Sequence, residues 1–262
     1  MVTFLDAVRA HVDSGAPGAI ATVIAGPGIG DRALVVPEDG IVAGSLPDDL
    51  AAPVAADAAV LIADEQNRTL MYGGVAVFIE TLSPPPQLLI FGAVHIAEHL
   101  CSMAAQAGFV VTVCDPRPAF TTPERFPDAV TVIPGRPAEV AAGRLLDSRT
   151  FVVVLSHDAR IEGALLPVLL RSRARYLGAM GSRRTHALRV ERLREEGFVD
   201  DDLDRIHGPV GLDLGAETPA EIAVSILAEM IRIRYGTGTA RSLLGRPGPI
   251  HGRGRGTGGG VS

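Results

Sequence analysis

Gly92-Ala93-Val94-His95-Ile96-Ala97 closes an apolar run and opens a helical pattern, and Asp115 stands at the end of the next apolar run. A glycine turn between strand and helix, with an acid about twenty residues further on, is the arrangement that holds a dinucleotide. The glycines let the backbone approach a pyrophosphate, and the acid accepts a hydrogen bond from a ribose 2′-hydroxyl. Gly92 and the small closing residue Ala97 are present, but the middle glycine is replaced by Val94, whose branched side chain obstructs that approach. Asp115 is left with two readings. It is a ribose acceptor, or a solvated strand-end aspartate forming a turn with Pro116.

A second glycine-bearing stretch, Gly178-Ala179-Met180-Gly181-Ser182-Arg183-Arg184, opens a helical pattern over 183–197. Arginine in a first helical turn faces the positive end of the helix dipole, which a bound anion would relieve. Ser182, the two guanidiniums and the helix amides can converge on a phosphate, and Gly178 and Gly181 allow close backbone approach. The competing reading pairs Arg183 and Arg184 with Asp200-Asp201-Asp202. The anion site is the preferred one.

Other polar residues also follow apolar runs. Ser156-His157-Asp158 are adjacent on an extended turn, so they point apart and do not make a hydrolytic triad. His157 suits either acid/base or ligand-orienting work, or a satisfied strand-end histidine. Asp213, between Gly211 and Gly215, either binds a ligand or caps a turn. His95 and His99 share a helix face without the further ligand a metal would need, so no metal site is expected. Cys101 reads as a small buried hydrophobe, and Cys114 as much the same.

These residues need a frame that gathers them. From Leu88 onward strand-like runs (88–92, 109–114, 129–133, 151–156, 175–178 and a short 208–212) alternate with helical patterns (95–107, 138–146, 162–172, 183–197 and 218–234). Continuous apolar strands alternating with helices predict a doubly wound, mostly parallel sheet covered on both faces, with ligands at the carboxyl ends of its strands. The last helix is bounded by Thr218 as N-cap, Pro219 in the first position, Glu221 completing a capping box and Gly236 as terminator. Residues 1–82 alternate β-branched runs (19–26, 32–44, 59–64 and 75–82) with turn signals, Glu38-Asp39-Gly40 reading as a hairpin turn. They predict a small β-rich domain, joined by the stiff linker 83–87 to a domain over 88–236, with a disordered tail over 237–262.

The 262 residues suffice for a large buried core, and a net charge of -6 argues against general binding to nucleic acid or anionic membranes. Met1–Ala10 lacks the basic start and apolar run of a secretory leader, and no apolar stretch is long enough to span a bilayer. Two cysteines make no disulfide framework. A cytoplasmic protein is expected.

At LLIFGAVHIAEHL (88–100), VTVCDPRPAF (111–120), ERFPDA (124–129), VVVLSHD (152–158), YLGAMGSRR (176–184), LREEGF (193–198) and IHGPVGLDLGAETPAEIAVSILAEMI (206–231) the chain resembles the xanthine dehydrogenase accessory protein family, of the XdhC/CoxI type. The resemblance implies a Rossmann-type C-terminal domain after a small N-terminal one. It also implies a role in maturing molybdenum hydroxylases: holding the molybdenum cofactor, assisting its sulfuration and handing it to the apoenzyme. A cysteine desulfurase is then a further expected partner, and homodimerisation is left open. The family's Gly-Ser-x-Ser-Gly-Gly-Cys-x-Glu stretch survives here only as Gly44-Ser45, followed by Leu46-Pro47-Asp48-Asp49. Its Cys-Gly-Gly element is Tyr72-Gly73-Gly74. Binding and delivery are compatible with these changes; chemistry through those cysteines is not.

The leading expectation is an accessory protein in which Ser182, Arg183 and Arg184 hold the cofactor phosphate, and His157, Asp158 and Asp213 contact the pterin or metal end. The alternatives are an NAD(P)-dependent oxidoreductase using Gly92 and Asp115, disfavoured by Val94, and a regulatory paralogue that binds neither cofactor.

Overall fold

In a computed structural model that describes residues 3–156, 158–236 and 238–244, the chain divides at Pro84 and Pro85 into two compact units. The first opens with helix α1 (Phe4–Ser14), which starts in a capping box between Thr3 and Asp6. Strands β1 (Gly18–Ala25), β2 (Arg32–Val36) and β3 (Gly40–Gly44) follow, then helix α2 (Asp48–Ala63) and strands β4 (Arg68–Tyr72) and β5 (Val75–Leu82). The five strands form an antiparallel sheet in the order β3-β2-β1-β5-β4. β2 and β3 are joined through the turn read at Glu38-Asp39-Gly40.

The run 59–64, expected as a strand, is instead the end of α2. Leu50, Val54, Ala58, Leu61 and Ile62 recur at helical spacing and bury against Ala19, Ala21, Val23, Val77 and Ile79 of the sheet. The alanine-rich stretch before the run carries few large apolar residues, and Pro53 interrupts it, so its period is faint. Seen alone, the β-branched end looks like a strand.

The second unit alternates as expected: β6 (Gln87–Phe91), α3 (His95–Gln106), β7 (Val110–Asp115), β8 (Thr131–Pro134), α4 (Pro137–Ala142), β9 (Thr150–Val154), α5 (Ala159–Leu170), β10 (Tyr176–Ala179), α6 (Arg183–Glu195), α7 (Asp200–Leu203), β11 (Ile206–His207) and α8 (Pro219–Tyr235). Its six strands are parallel in the order β11-β10-β9-β6-β7-β8. Numbered by their appearance in this unit, that is 3-2-1-4-5-6 read from β8, the Rossmann order. Side chains alternate across the sheet. Leu88, Ile90, Val111, Val113 and Val153 pack under α3 and α8. Leu89, Phe91, Val152, Val154 and Leu177 pack under α4, α5 and α6.

The sixth strand differs from expectation. It is Ile206–His207, and 208–212 form a strap instead. Pro209 has no N–H to give a ladder, and Gly211 sits at φ +101°. The strap is tied down by Val210 N–H to the Ala179 carbonyl (3.2 Å) and Leu212 N–H to the Ser225 carbonyl (3.1 Å). α8 has the predicted caps, with Thr218 and Glu221 in a capping box and Gly236 left-handed at φ +66°. Of the tail expected to be disordered over 237–262, residues 238–244 are described and form no helix or strand, and the rest lies outside the described residues.

Candidate functional site

Strand order reverses between β6 and β9, so the loops that leave those two strands flank the crevice in which such sheets take ligands. At this point the loops touch. Gly92 adopts φ +119°, and a Cβ there would stand 3.0 Å from the Ser156 nitrogen and 3.1 Å from the Leu155 carbonyl carbon. The missing side chain accommodates the neighbouring strand end, and the Val94 side chain stands at the start of α3 without capping it.

Asp115 is buried, at 2% exposure, rather than solvated. Its Oδ1 accepts from the Arg117 backbone N–H (2.9 Å) and Nε (2.8 Å), and its Oδ2 from the Ala93 N–H and Arg117 Nη2 (both 2.9 Å). A carboxylate offers about four acceptor positions, and all are taken. Burial alone would raise the Asp115 pKa, but the bonds from Arg117 and Ala93 outweigh it and hold the group below its ordinary value. The aspartate does make a turn, through Arg117 rather than through exposure to water.

At the end of β9, His157 lies outside the described residues. Asp158 caps α5, accepting from the Arg160 N–H (2.9 Å), and pairs with the Arg160 guanidinium at 3.0 Å. The side-chain and backbone hydrogen bonds from Arg160 hold its pKa down.

Beyond β10 the picture is more open. Gly178 is a packing glycine: a Cβ would lie 2.5 Å from Val210 Cγ2 and 2.8 Å from the Tyr176 ring and hydroxyl. Gly181, at φ +141°, turns the chain into α6, where the Ser182 hydroxyl caps by accepting from the Thr185 N–H at 3.1 Å. Arg183 and Arg184 are exposed and make no hydrogen bond or ion pair among the described residues. Of the acids that could have paired with them, Asp200 pairs instead with Arg194 at 2.7 Å, and neither Asp201 nor Asp202 pairs with either arginine. Asp213, exposed in the loop after the strap, likewise has no partner among the described residues.

A cleft of about 410 Å³ opens beside this turn, lined by Ile96, Met180, Gly181, Ser182, Thr185, Val210 and Ile222. That volume falls in the range of small-molecule sites, and the walls are mostly apolar with polar groups at one end. Of the residues singled out from sequence, the cleft gathers Gly181 and Ser182. Arg183 and Arg184 follow directly on the helix that leaves it. Gly92, Asp115, Asp158, Gly178 and Asp213 are not among its lining residues.

Both walls of the cleft are pinned by buried ionic groups that the sequence reading missed. Arg189, 3% exposed, binds Glu162 through Nε (3.0 Å) and Nη2 (3.1 Å), and donates from Nη2 to the Met180 carbonyl (2.8 Å). Glu229 accepts from the Tyr176 hydroxyl (2.5 Å) and the Gly211 N–H (2.9 Å), and its other oxygen lies 3.1 Å from His207 Nδ1. Burial pushes its pKa up, but these bonds outweigh burial and leave it below the ordinary value. The available signal was a charge on an otherwise apolar helix face: Glu229 between Ile226 and Met230, Arg189 beside Val190 and Leu193.

Neither thiol lines the cleft. Cys101 and Cys114 are buried free thiols, and burial pushes them up to about 11 and about 12. No group of three or more His, Cys, Asp or Glu side chains among the described residues could hold a metal ion. No helix among them is long and apolar enough to cross a membrane.

A family model for the XdhC Rossmann domain matches residues 88–230, more than half of the chain. The chain belongs to the XdhC family. Among similar proteins, Escherichia coli YqeB, itself uncharacterised, is 35% identical over 164 residues, covering 62% of this chain and 30% of YqeB. A Bacillus subtilis protein described as a probable xanthine dehydrogenase subunit is 34% identical over 158 residues (60% and 46%). The molybdenum cofactor insertion chaperone PaoD of Escherichia coli is 30% identical over 151 residues (58% and 41%). The chain thus spans less than half the length of these relatives. A solved structure described as a xanthine dehydrogenase from Bacillus halodurans superposes with a TM-score of 0.68 at 26% identity, covering 87% of this chain and 65% of that one. The XdhC match begins at Leu88, one residue into β6, and takes in the glycine turn, the cleft and most of α8.

Proposed function

We propose that this XdhC-family chain serves the maturation of a molybdenum hydroxylase of the xanthine dehydrogenase or carbon monoxide dehydrogenase type. It would bind the pterin of the molybdenum cofactor and present it to the apoenzyme. The observation that carries this reading is the cleft beside Gly181, with two uncommitted arginines at the start of the helix that leaves it. Two of its relatives support it: the molybdenum cofactor insertion chaperone supplies the cofactor context, and the Bacillus subtilis protein described as a probable xanthine dehydrogenase subunit supplies the enzyme context.

The residues fit the organic part of such a ligand. Ile96, Met180, Val210 and Ile222 offer apolar walls for a planar ring, and Gly181 leaves room for close approach. Arg183, Arg184 and the first amides of α6 offer a phosphate both charge and donors. Asp213 and His157 remain proposed contacts for the pterin or metal end. When bound, the cofactor supplies the metal–dithiolene chemistry that a client enzyme uses. This chain's groups hold the phosphate, shield one side of the ring and leave the other end to a receiving protein. The same donor set does not fit sulfur transfer, because both thiols are buried and protonated at neutral pH.

Incubation with molybdenum cofactor, followed by fluorescence of the oxidised pterin retained on the protein, tests the reading. Arg183→Ala/Arg184→Ala should lower retention by about tenfold or more, as expected for losing two charge-assisted contacts. No retention by the unaltered chain, or equal retention by the variant, would sink the site. An NAD-dependent oxidoreductase draws no support from this geometry, since Asp115 has no acceptor position left for a ribose 2′-hydroxyl.

A further inference from the structure

The wall of the cleft beside β10 is not made by β10 itself. Tyr176 and Gly178 face the side of the sheet that packs under α3 and α8, and at Gly178 the strand has no side chain to give. Val210 of the strap fills that place: a Cβ on Gly178 would stand 2.5 Å from Val210 Cγ2. The apolar wall that Val210 contributes is therefore only as well placed as the strap that carries it.

Three ties set that placement. Val210 N–H reaches the Ala179 carbonyl at 3.2 Å, and Leu212 N–H the Ser225 carbonyl at 3.1 Å. Between them the Gly211 N–H is received by Glu229 at 2.9 Å, so close to α8 that a Cβ on Gly211 would lie 2.5 Å from Ser225 Oγ. Glu229 comes from an otherwise apolar helix face, between Ile226 and Met230, and is 8% exposed. An apolar residue would serve the core as well, since a buried charge repays its desolvation only through its partners. Those partners are the strap and two donors that aim the carboxylate at it. The Tyr176 hydroxyl donates at 2.5 Å, and His207 Nδ1 lies 3.1 Å away. Burial pushes the Glu229 pKa up, but the bonds from His207, Tyr176 and Gly211 hold it below its ordinary value. The carboxylate is thus an acceptor only, and Nδ1 carries the shared proton.

We propose that Glu229 and His207 are positioning residues of the cleft: through the strap they hold Val210 as a ready-made wall for the ring of the ligand. Neither of them lines the cleft. The assignment rests on the reading that the cleft receives a pterin, and it divides that site in two. The strap meets the ring. The start of α6, whose cap at Ser182 uses none of these ties, meets the phosphate. A loosened wall must be ordered as the ring binds, at the expense of ring affinity alone.

Titration of the full chain with neopterin 3′-phosphate, followed by pterin fluorescence, and its displacement by inorganic phosphate read the two ends separately. Glu229→Gln sets an amide N–H against one of three donors. It should weaken neopterin 3′-phosphate about tenfold and leave inorganic phosphate within about twofold of the unaltered chain. His207→Ala removes one donor at a partly exposed position and decides the matter if the first variant fails to fold. It should weaken the pterin about threefold. His207→Asn returns an N–H where Nδ1 stood and should restore binding, which the loss of an imidazole from the packing alone would not allow. Arg183→Ala/Arg184→Ala should instead weaken both probes together. Variants that bind the pterin as the unaltered chain does overturn the strap assignment and leave the pterin reading standing. Equal loss of both probes in the Glu229 and His207 variants, or His207→Asn behaving like His207→Ala, overturns it as well. An unaltered chain that does not bind the pterin overturns the reading itself, and the assignment with it.

Discussion

The turns after β6 and β10 both set a glycine of positive φ between a strand and a helix, and they end up in opposite states. After β6, Gly92 is packed against the end of β9, the Ala93 N–H is given to Asp115, and Asp115 is given to Arg117. After β10, Gly181 borders a cleft, and the two arginines that follow are paired with nothing among the described residues. A motif tells where a ligand could be received; whether it is depends on which polar groups the fold has already consumed. In this chain the better-known turn has spent its groups internally, and the less conspicuous one has kept them. The second turn is therefore where the proposed cofactor phosphate would be received.

The open turn should prove the more dependent on buried charge. Arg189 holds the Met180 carbonyl and is itself held by Glu162, with 1% and 8% of the two side chains exposed. Arg189→Ala leaves a buried carboxylate and a carbonyl without their donor, at a cost of about 3–5 kcal/mol in urea unfolding. Replacing both partners, Arg189→Met with Glu162→Leu, should recover most of that stability, because no unpaired charge remains. Pterin retention should not recover, since Met180 is then untethered. Full recovery of both would show that the cleft needs no ionic support and would weaken the contrast between the turns.

The glycines offer the next largest effect. Gly92→Ala adds a Cβ at φ +119° against backbone atoms of the adjacent strand end, where nothing can yield without moving β9. A loss of about 2–4 kcal/mol is expected from strain and overpacking together. Gly181→Ala is also strained, at φ +141°, but its nearest neighbours are Thr185 side-chain atoms at 3.1 Å in an exposed first turn. About 1–2 kcal/mol is expected there, with a larger proportional loss of ligand retention. Thermal unfolding of the two variants side by side reads the difference. An inverted order would mean that the closed turn is the adaptable one.

How much of this was legible beforehand depended on range. Alternation of apolar runs exposed the parallel sheet, because each strand of such a sheet is buried on both faces and carries its own signal. Thr218, Pro219, Glu221 and Gly236 gave the ends of α8 by local chemistry alone. Helix α2 was hidden because alanines and Pro53 mute its period, and the strap at 208–212 because a glycine-proline segment with two valine-like neighbours imitates a short strand. The site was half legible. Gly181 and Ser182 could be placed at a strand end, but the partners of Asp115 and Met180 could not be. The Ala93–Asp115 and Glu162–Arg189 contacts join residues 22 and 27 apart in the chain. Only folding decides such pairings, and they determine which donors and acceptors remain for a ligand.

Acid should separate the two turns by a smaller margin and through a known sign. Asp115 is held below its ordinary value of 3.8, so around and below that pH the folded chain binds fewer protons than the unfolded one. Its contribution is complete above about pH 5 and is lost as pH falls through the folded value. Asp115→Asn preserves the shape of the side chain but puts an amide N–H against either the Ala93 N–H or the donors of Arg117. A destabilisation of about 1–2 kcal/mol at pH 7 follows from one opposed donor and a lost charge. As pH is lowered toward 3 the wild type loses its advantage, and the two unfolding curves should converge. Glu229, also held below its ordinary value of 4.5, remains in both proteins and sets a common acid decline. The diagnostic quantity is therefore the difference between them. A gap that stays constant from pH 7 to pH 3 would mean that the Asp115 charge does not close the β6 turn, and that Gly92 packing alone does.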